Sequence, residues 1–337
     1  MPRPSRRDAL RAATAAAAAA AATVLHVPRP ARARTPAWSP DRPLRVVLGF
    51  APGGASDAAL RVLQPRLASL LGQPLVVDNR PGAGGNLAAE AVARAAPDGH
   101  TILSANVGLI AVNPALFRAL PFDPDRDFRP VSALFDARGV LVSPADRPWR
   151  SVADILAAAR ARPEALTYAT GGVGSVGHLA GLLLDATAGV RTVPVHYRGG
   201  GPLMTALVAG EADMSFATLG TVVPHLEAGR LRAFAVCEPQ RVARLPEVPT
   251  MLELGFRDFV VPNHDGLLVP RATPDAAVAR LAAAVSAALA EPETVRAFEA
   301  RGLEAATETG PAPLAARLAA DAARWRPLLR AAGVEAT

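Results

Sequence analysis

Two stretches of this chain join a strand-like apolar run to a glycine loop and a helix start: "LGFAPGGASD" at 48–57 and "YATGGVGSVGH" at 168–178. Such a unit carries one strand to the next through a covering helix, which is how a parallel sheet is built. The alternation extends around both. "LRVVLGF" (44–50), "PLVVD" (74–78) and "TILSAN" (101–106) read as strands, separated by a helix running to about Leu71 and by "LAAEAVARAA". The order then restarts with "GVLVSP" (139–144), a serine-capped "SVADILAAARA" (151–161), "ALTYAT" (165–170), "RTVPVHY" (191–197), helical "PLMTALVAG" and "ADMSFAT" (212–218). From "GLLVP" (266–270) onward the pattern reads as helical, notably over 274–290 and 314–333. Pro65 lies inside the first helical stretch and is expected to kink it. The fold class is α/β, and 337 residues at 50% hydrophobic composition suit two cores better than one.

In open α/β sheets a ligand sits beyond the carboxyl ends of the strands, where helix N-termini offer unpaired N–H groups to an anion. Two such ends facing each other make a clamp. Gly172, Gly174 and Gly177 have the G-x-G-x-x-G spacing of a dinucleotide-binding turn. That site also wants an acid at the end of the next strand, which here ends "VHYRG"; Arg198 is available instead for a 2′-phosphate. An exported NADP-dependent oxidoreductase using the 172–177 loop is therefore the alternative reading.

Other chemistries lack their residues. "GAGGN" (82–86) is no Walker A loop, because the chain contains no lysine, and Asn86 reads as a cap on the next helix. Ser175 would need glycine at 173 for a nucleophile elbow, and the sequence has Val173. The histidines (His26, His100, His178, His196, His225, His264) show no metal-ligand spacing. Asp57 reads first as a helix cap. His178 is either a first-turn residue bonded to nearby backbone or a ligand contact, and Tyr197 either packs at the domain face or lines the cleft.

Charge is uneven along the chain. Of the net +6, residues 1–33 hold +5, from Arg3, Arg6, Arg7, Arg11, Arg29 and Arg32 against Asp8. A nearly neutral body with 4% aromatic residues over the chain excludes a nucleic-acid binder. The Arg6–Arg7 pair, a short alanine-rich run and the small residues Ala31 and Ala33 make 1–33 a twin-arginine-like export signal peptide. The run is shorter than the roughly 20 residues of a membrane span. The expected product starts near Arg34 and is soluble and periplasmic. Cys237 is the only cysteine, so it forms no intramolecular disulfide and reads as a small core residue.

Several segments, in this order, resemble the extracytoplasmic solute receptors of tripartite tricarboxylate transporters, the Bug/TctC-type binding proteins, over about 42–334. They are "RPLRVVLGFAPGGASD", "LGQPLVVDNRPGAGGN", "AAPDGHTIL", "NPALF", "PFDPDRDFRPVS", "TYATGGVGSVGHLAG", "RVARLPEVPTMLELGF" and "DAARWRPLL". The resemblance implies a two-lobed type II periplasmic binding protein fold with two crossovers and a ligand cleft between the lobes. Lobe 1 would take 41–142 plus 265–337 and lobe 2 143–264, with crossovers near 140–144 and 264–270.

It further implies capture of a small carboxylate by lobe closure, with no catalytic residue, metal or cofactor. The partner implied is the membrane permease of such a transporter, or in a variant role a signalling protein, and the receptor is expected to be a monomer. The ligand would meet Phe50, Ala51, Pro52, Gly53, Gly54, Ser56 and Asp57 in the first loop and Gly171, Gly172, Gly174, Ser175 and His178 in the second. Ser104, Asn106, Tyr197, Ala217, Thr218 and His264 complete the expected site. On this reading the loop glycines let backbone N–H groups approach a carboxylate. Departures from the family pattern fall at Ala217, where relatives often carry an acid, at His264, where they often carry tryptophan, and at His196, where they carry proline. A lost acid and added histidines point to a ligand without an amine.

Overall fold

The computed structural model describes residues 38–331, so the expected signal peptide at 1–33 lies outside the described residues. The first sheet has six strands in the order β11-β4-β10-β3-β1-β2 and the second has five, β7-β6-β8-β5-β9. In the first, β1 (Leu44–Leu48) pairs in parallel with β2 (Leu75–Asn79) and β3 (Thr101–Asn106), while β10 (His264–Pro270) runs antiparallel between β3 and β4 (Phe128–Ala137). A short β11 (Leu303–Ala305) closes the edge beside β4. In the second, β6 (Thr167–Thr170) is parallel to β7 (Val193–His196) and β8 (Met214–Thr218). The remaining strand, β5 (Gly139–Pro144), lies antiparallel between β8 and β9 (Leu231–Val236).

Helices cover both sheets. In the first half α1 (Ala55–Leu71) and α2 (Asn86–Ala93) flank the first sheet, and α3 (Val152–Ala161), α4 (Val176–Ala188), α5 (Gly200–Val208) and α6 (Leu219–Glu227) belong with the second. The C-terminal part adds α7 (Asp275–Leu289), α8 (Pro292–Glu299) and α9 (Pro311–Ala331). No helix among the described residues is long and apolar enough to cross a membrane. The expected kink at Pro65 does not break the element: α1 is one helix through Pro65 to Leu71.

The strands read as continuous apolar runs because both of their faces are covered. Every residue of β5 is buried. Leu141 points into a cluster with Tyr168, Met214 and Phe216, whereas Val140 and Val142 point to the opposite face with Ala169 and Ala217. Four strands escape the sequence pattern: β10 and β11 lie where the pattern reads as helical, and β4 and β9 are interrupted. β4, "FRPVSALFDA", contains Pro130, a buried Ser132 and Asp136, and β9, "LRAFAV", carries Arg232 in a six-residue run.

The chain changes sheets at Arg138, between β4 and β5, so all of β5 lies in the five-stranded sheet and the first crossing comes before residue 140. The last helix serves both cores. Leu314 and Leu318 pack into the six-stranded lobe, while Trp325 and Leu329 join the second cluster, so a single i, i+4, i+11, i+15 stripe spans the two. The region after 265 is thus shared between lobes in its packing.

Helix α4 approaches the second sheet closely enough that a Cβ on Gly181 would lie 2.2 Å from the ring of the fully buried Tyr168. Gly181→Val should destabilise the protein by about 1–3 kcal/mol through overpacking. A denaturant midpoint that does not move would show that this contact is not tight.

Candidate functional site

Parallel strands place the starts of their connecting helices at one end of each sheet, and the two sheets turn those ends toward a common cavity. Its walls include Ala55 and Ser56 from the start of α1, Val176 and Gly177 from α4, Gly199 and Gly200 from α5, and Thr218 and Thr221 from α6. Four helix N-termini therefore meet at one space. First-turn amides have no intrahelical acceptor, and the caps leave most of them open here. The N-cap residues Gly54 and Gly199 have no capping side chain, and Thr218 makes no cap bond. On α4 the Ser175 hydroxyl accepts only from the His178 amide, at 3.4 Å. Each helix end carries the equivalent of about half a positive charge, so the cavity wall is positive in character and suits an anion.

The remaining lining is largely apolar, with Phe50, Phe135, Phe216, Ala180, Leu203 and Val261. The cavity measures about 100 Å³, comparable with the ~150 Å³ that holds a benzene-sized guest and far too small for a dinucleotide. Asn263 lines it too and donates to the Thr218 hydroxyl at 3.2 Å. Cys237 is buried at its edge. Among the described residues, no group of acids, histidines and cysteine is arranged to hold a metal ion.

Of the residues expected from the sequence, Phe50, Ala51, Gly54, Ser56, Asp57, Asn106, Gly171, Ser175, Ala217, Thr218 and His264 line the cavity. Asp57 is not the N-cap: that position is Gly54, and the Asp57 carboxylate accepts from the Gly53 amide, Asn79 and Arg61. Pro52, Gly53, Ser104, Gly172, Gly174, His178 and Tyr197 stand off the cavity wall.

The glycines of the 172–177 motif do different work from that expected. The Gly172 amide donates to Thr170 Oγ1 at 3.2 Å and the Gly174 amide to His178 Nδ1 at 3.2 Å, so neither is available to an anion. A Cβ on Gly174, whose φ is +73°, would fall 2.1 Å from Asn113 Oδ1; the glycine lets the loop touch the first lobe. Tyr197 turns outward, its hydroxyl 3.4 Å from Glu211. His178 packs edge-on against His196, with ring centroids 4.9 Å apart.

Two features escape a reading of the sequence. One is the set of helix starts at Gly199–Gly200 and Thr221, which "RGGGP" and the strand end at Thr218 signal. The other is Asp265, the residue before the run "GLLVP". It is 1% exposed, lines the cavity, and accepts hydrogen bonds from Ser56 Oγ at 2.6 Å and Ser104 Oγ at 2.7 Å. Ser104 thus stands one layer behind the wall. His264 also lines the cavity; its Nε2 lies 2.6 Å from Asp321 Oδ2, and its Nδ1 is buried without a hydrogen-bond partner.

The family model for the tripartite tricarboxylate transporter family receptor matches residues 59–334. The chain belongs to this family. It is 39% identical over 293 residues to the "UPF0065 protein in tcbD-tcbE intergenic region" of Pseudomonas sp. (strain P51), covering 86% of each chain. Among solved structures, the periplasmic binding protein BugD superposes with a TM-score of 0.83 at 30% identity, over 88% of this chain and 100% of that one. MatC from Rhodopseudomonas palustris, solved with bound malate, gives 0.83 at 34% identity over 86% of this chain and 99% of MatC. The fold is that of the two-lobed periplasmic binding proteins, and the chain is a solute-binding receptor, not an enzyme.

Burial, with the neighbouring His196 as a smaller contributor, holds the His178 imidazole down at about 4. The unfolded chain protonates such rings near 6.5, so between about 6.5 and about 4 it binds more protons than the folded protein. Stability should fall as pH drops through that window. Urea unfolding at stepped pH is expected to show a shallower fall in His178→Gln, and an unchanged slope would mean that the ring is not held neutral.

Proposed function

We propose that the protein captures a small carboxylate by closing its two lobes around it and delivers it to a membrane permease of the tripartite tricarboxylate type. The observation that carries this reading is the convergence of four helix N-termini on one cavity without a basic side chain other than His264, itself engaged with Asp321. Backbone amides suit a carboxylate, whose two oxygens accept several donors at fixed geometry. The bound malate of MatC is a ligand of this chemistry. No bond is made or broken in this role. Export by the 1–33 leader to the periplasm is part of the same proposal, since a receptor must meet its solute outside the membrane.

Lobe contacts at the mouth support closure as the working step. The Ala51 amide donates to the Arg198 carbonyl at 2.9 Å, joining the β1–α1 loop to the β7–α5 loop. Behind it, Gly54 meets Gly200, and a Cβ on Gly201 would stand 2.9 Å from the Pro52 carbonyl. Bare backbone on both sides allows the mouth to shut. Ligand contacts available only in this arrangement shift the population toward it.

Gly201→Val obstructs that approach while leaving α5 intact. In calorimetric titrations with a panel of small carboxylates, the wild type should bind at least one. The variant should bind it at least tenfold more weakly, with its unliganded melting temperature shifted by no more than a few degrees. Equal affinity in the two proteins would show that closure at this mouth does not contribute to binding.

A further inference from the structure

Four acids are buried among the described residues: Asp57, Glu238, Asp265 and Asp321. Three of them have a partner that is cationic or becomes so on protonation. Asp57 is joined to Arg61 at 3.2 Å, Glu238 to Arg138 at 2.9 Å and Asp321 to His264 at 2.6 Å. Asp265 is the most buried of the four, its side-chain hydrogen-bond partners are two neutral serine hydroxyls, and the Gly266 amide and the His264 ring give it only smaller support. The His264 ring is its chain neighbour, but the Nε2 of that ring is engaged by Asp321. Burial outweighs the serine bonds and pushes the Asp265 carboxyl up to about 6.

A buried carboxylate without a countercharge is costly unless something in its cavity supplies one. Asp265 lies at the cavity wall together with Ser56. Each of its oxygens accepts one serine bond and keeps capacity for a second. Helix amides therefore offer positive character to one part of a ligand while Asp265 offers a negative group to another. The lining contains two other carboxyl or imidazole side chains: Asp57, paired with Arg61, and His264, whose Nε2 is paired with Asp321 and whose Nδ1 has no partner.

We propose that Asp265 is the specificity-determining residue of this receptor and that its ligand is a zwitterion, with a carboxylate at the helix N-termini and an ammonium group against Asp265. The inference rests on the carboxylate-receptor reading above and narrows it. It reverses the expectation of an amine-free ligand drawn from Ala217. The acid missing at the end of β8 is replaced by one on β10, at the same cavity.

The test uses protein unfolded and refolded to strip any bound ligand. Thermal shift followed by calorimetry compares the standard amino acids with their deaminated and α-hydroxy counterparts, for wild type and Asp265→Asn. At least one amino acid should bind wild type at least tenfold more tightly than its deaminated and hydroxy counterparts, and Asp265→Asn should lose that preference. Deaminated or hydroxy acids binding as tightly as the amino acids would overturn the role of Asp265 and leave the carboxylate reading standing. No binding by any of the acids would overturn both. Should Asp265→Asn fail to fold, as judged by its unliganded melting curve, the wild-type affinity ratio alone decides.

Discussion

In a parallel sheet every connecting helix starts at the same edge, so its unpaired amides and its dipole are delivered there by topology, whatever the side chains are. This chain applies that rule in both lobes and turns the two edges toward each other. The anion site then needs no basic residue, which fits a body that carries almost no net charge once the leader is set aside. The helix starts are unusually bare, with glycine at two N-caps and, at a third, a threonine whose hydroxyl accepts from Asn263 and not from the helix amides. A capping side chain would occupy the amides that the cavity presents, so helix stability is traded against an open donor set.

The two lobes are tied in ways that guide one motion. The chain crosses between the sheets at Arg138, whose guanidinium reaches Glu238, two residues past the end of β9, and Glu304 in β11. Those acids hold the arginine above its ordinary value against the opposing effect of its burial. A bidentate arginine ties the segments at the crossing, while at the far mouth the two loops meet through glycine backbone. Helix α9, packed into both cores, is the second tie. Rigid bodies joined by a few crossings and meeting along a bare seam are the arrangement expected of hinge closure.

Much of this is legible in the sequence. Strands such as β1 and β5 are rich in β-branched residues and leucine, and the loop "APGGASD" follows β1 with paired glycines, so the α/β alternation follows from the residues, while the two-lobe arrangement comes from the family resemblance. β4 is not legible because Pro130, Ser132 and Asp136 interrupt its apolar pattern; its partners β10 and β11 specify it from a distance in sequence. Asp265 is hidden for a related reason. An acid beside a histidine at the head of "GLLVP" reads as loop, and only the register with Asn106 and the two serine donors shows it inside a strand. The glycines at 172 and 174 do serve close backbone approach, the property their spacing suggests, but the neighbours approached are Asn113 and the Tyr197 carbonyl instead of a ligand.

The most direct test of the central claim is a crystal structure of the protein with a bound carboxylate. The carboxylate oxygens should lie within about 3.2 Å of first-turn amides drawn from both lobes, such as Ser56 on α1 and Gly177 on α4. A carboxylate held by an arginine side chain, or lying outside the cavity between the sheets, would contradict the account.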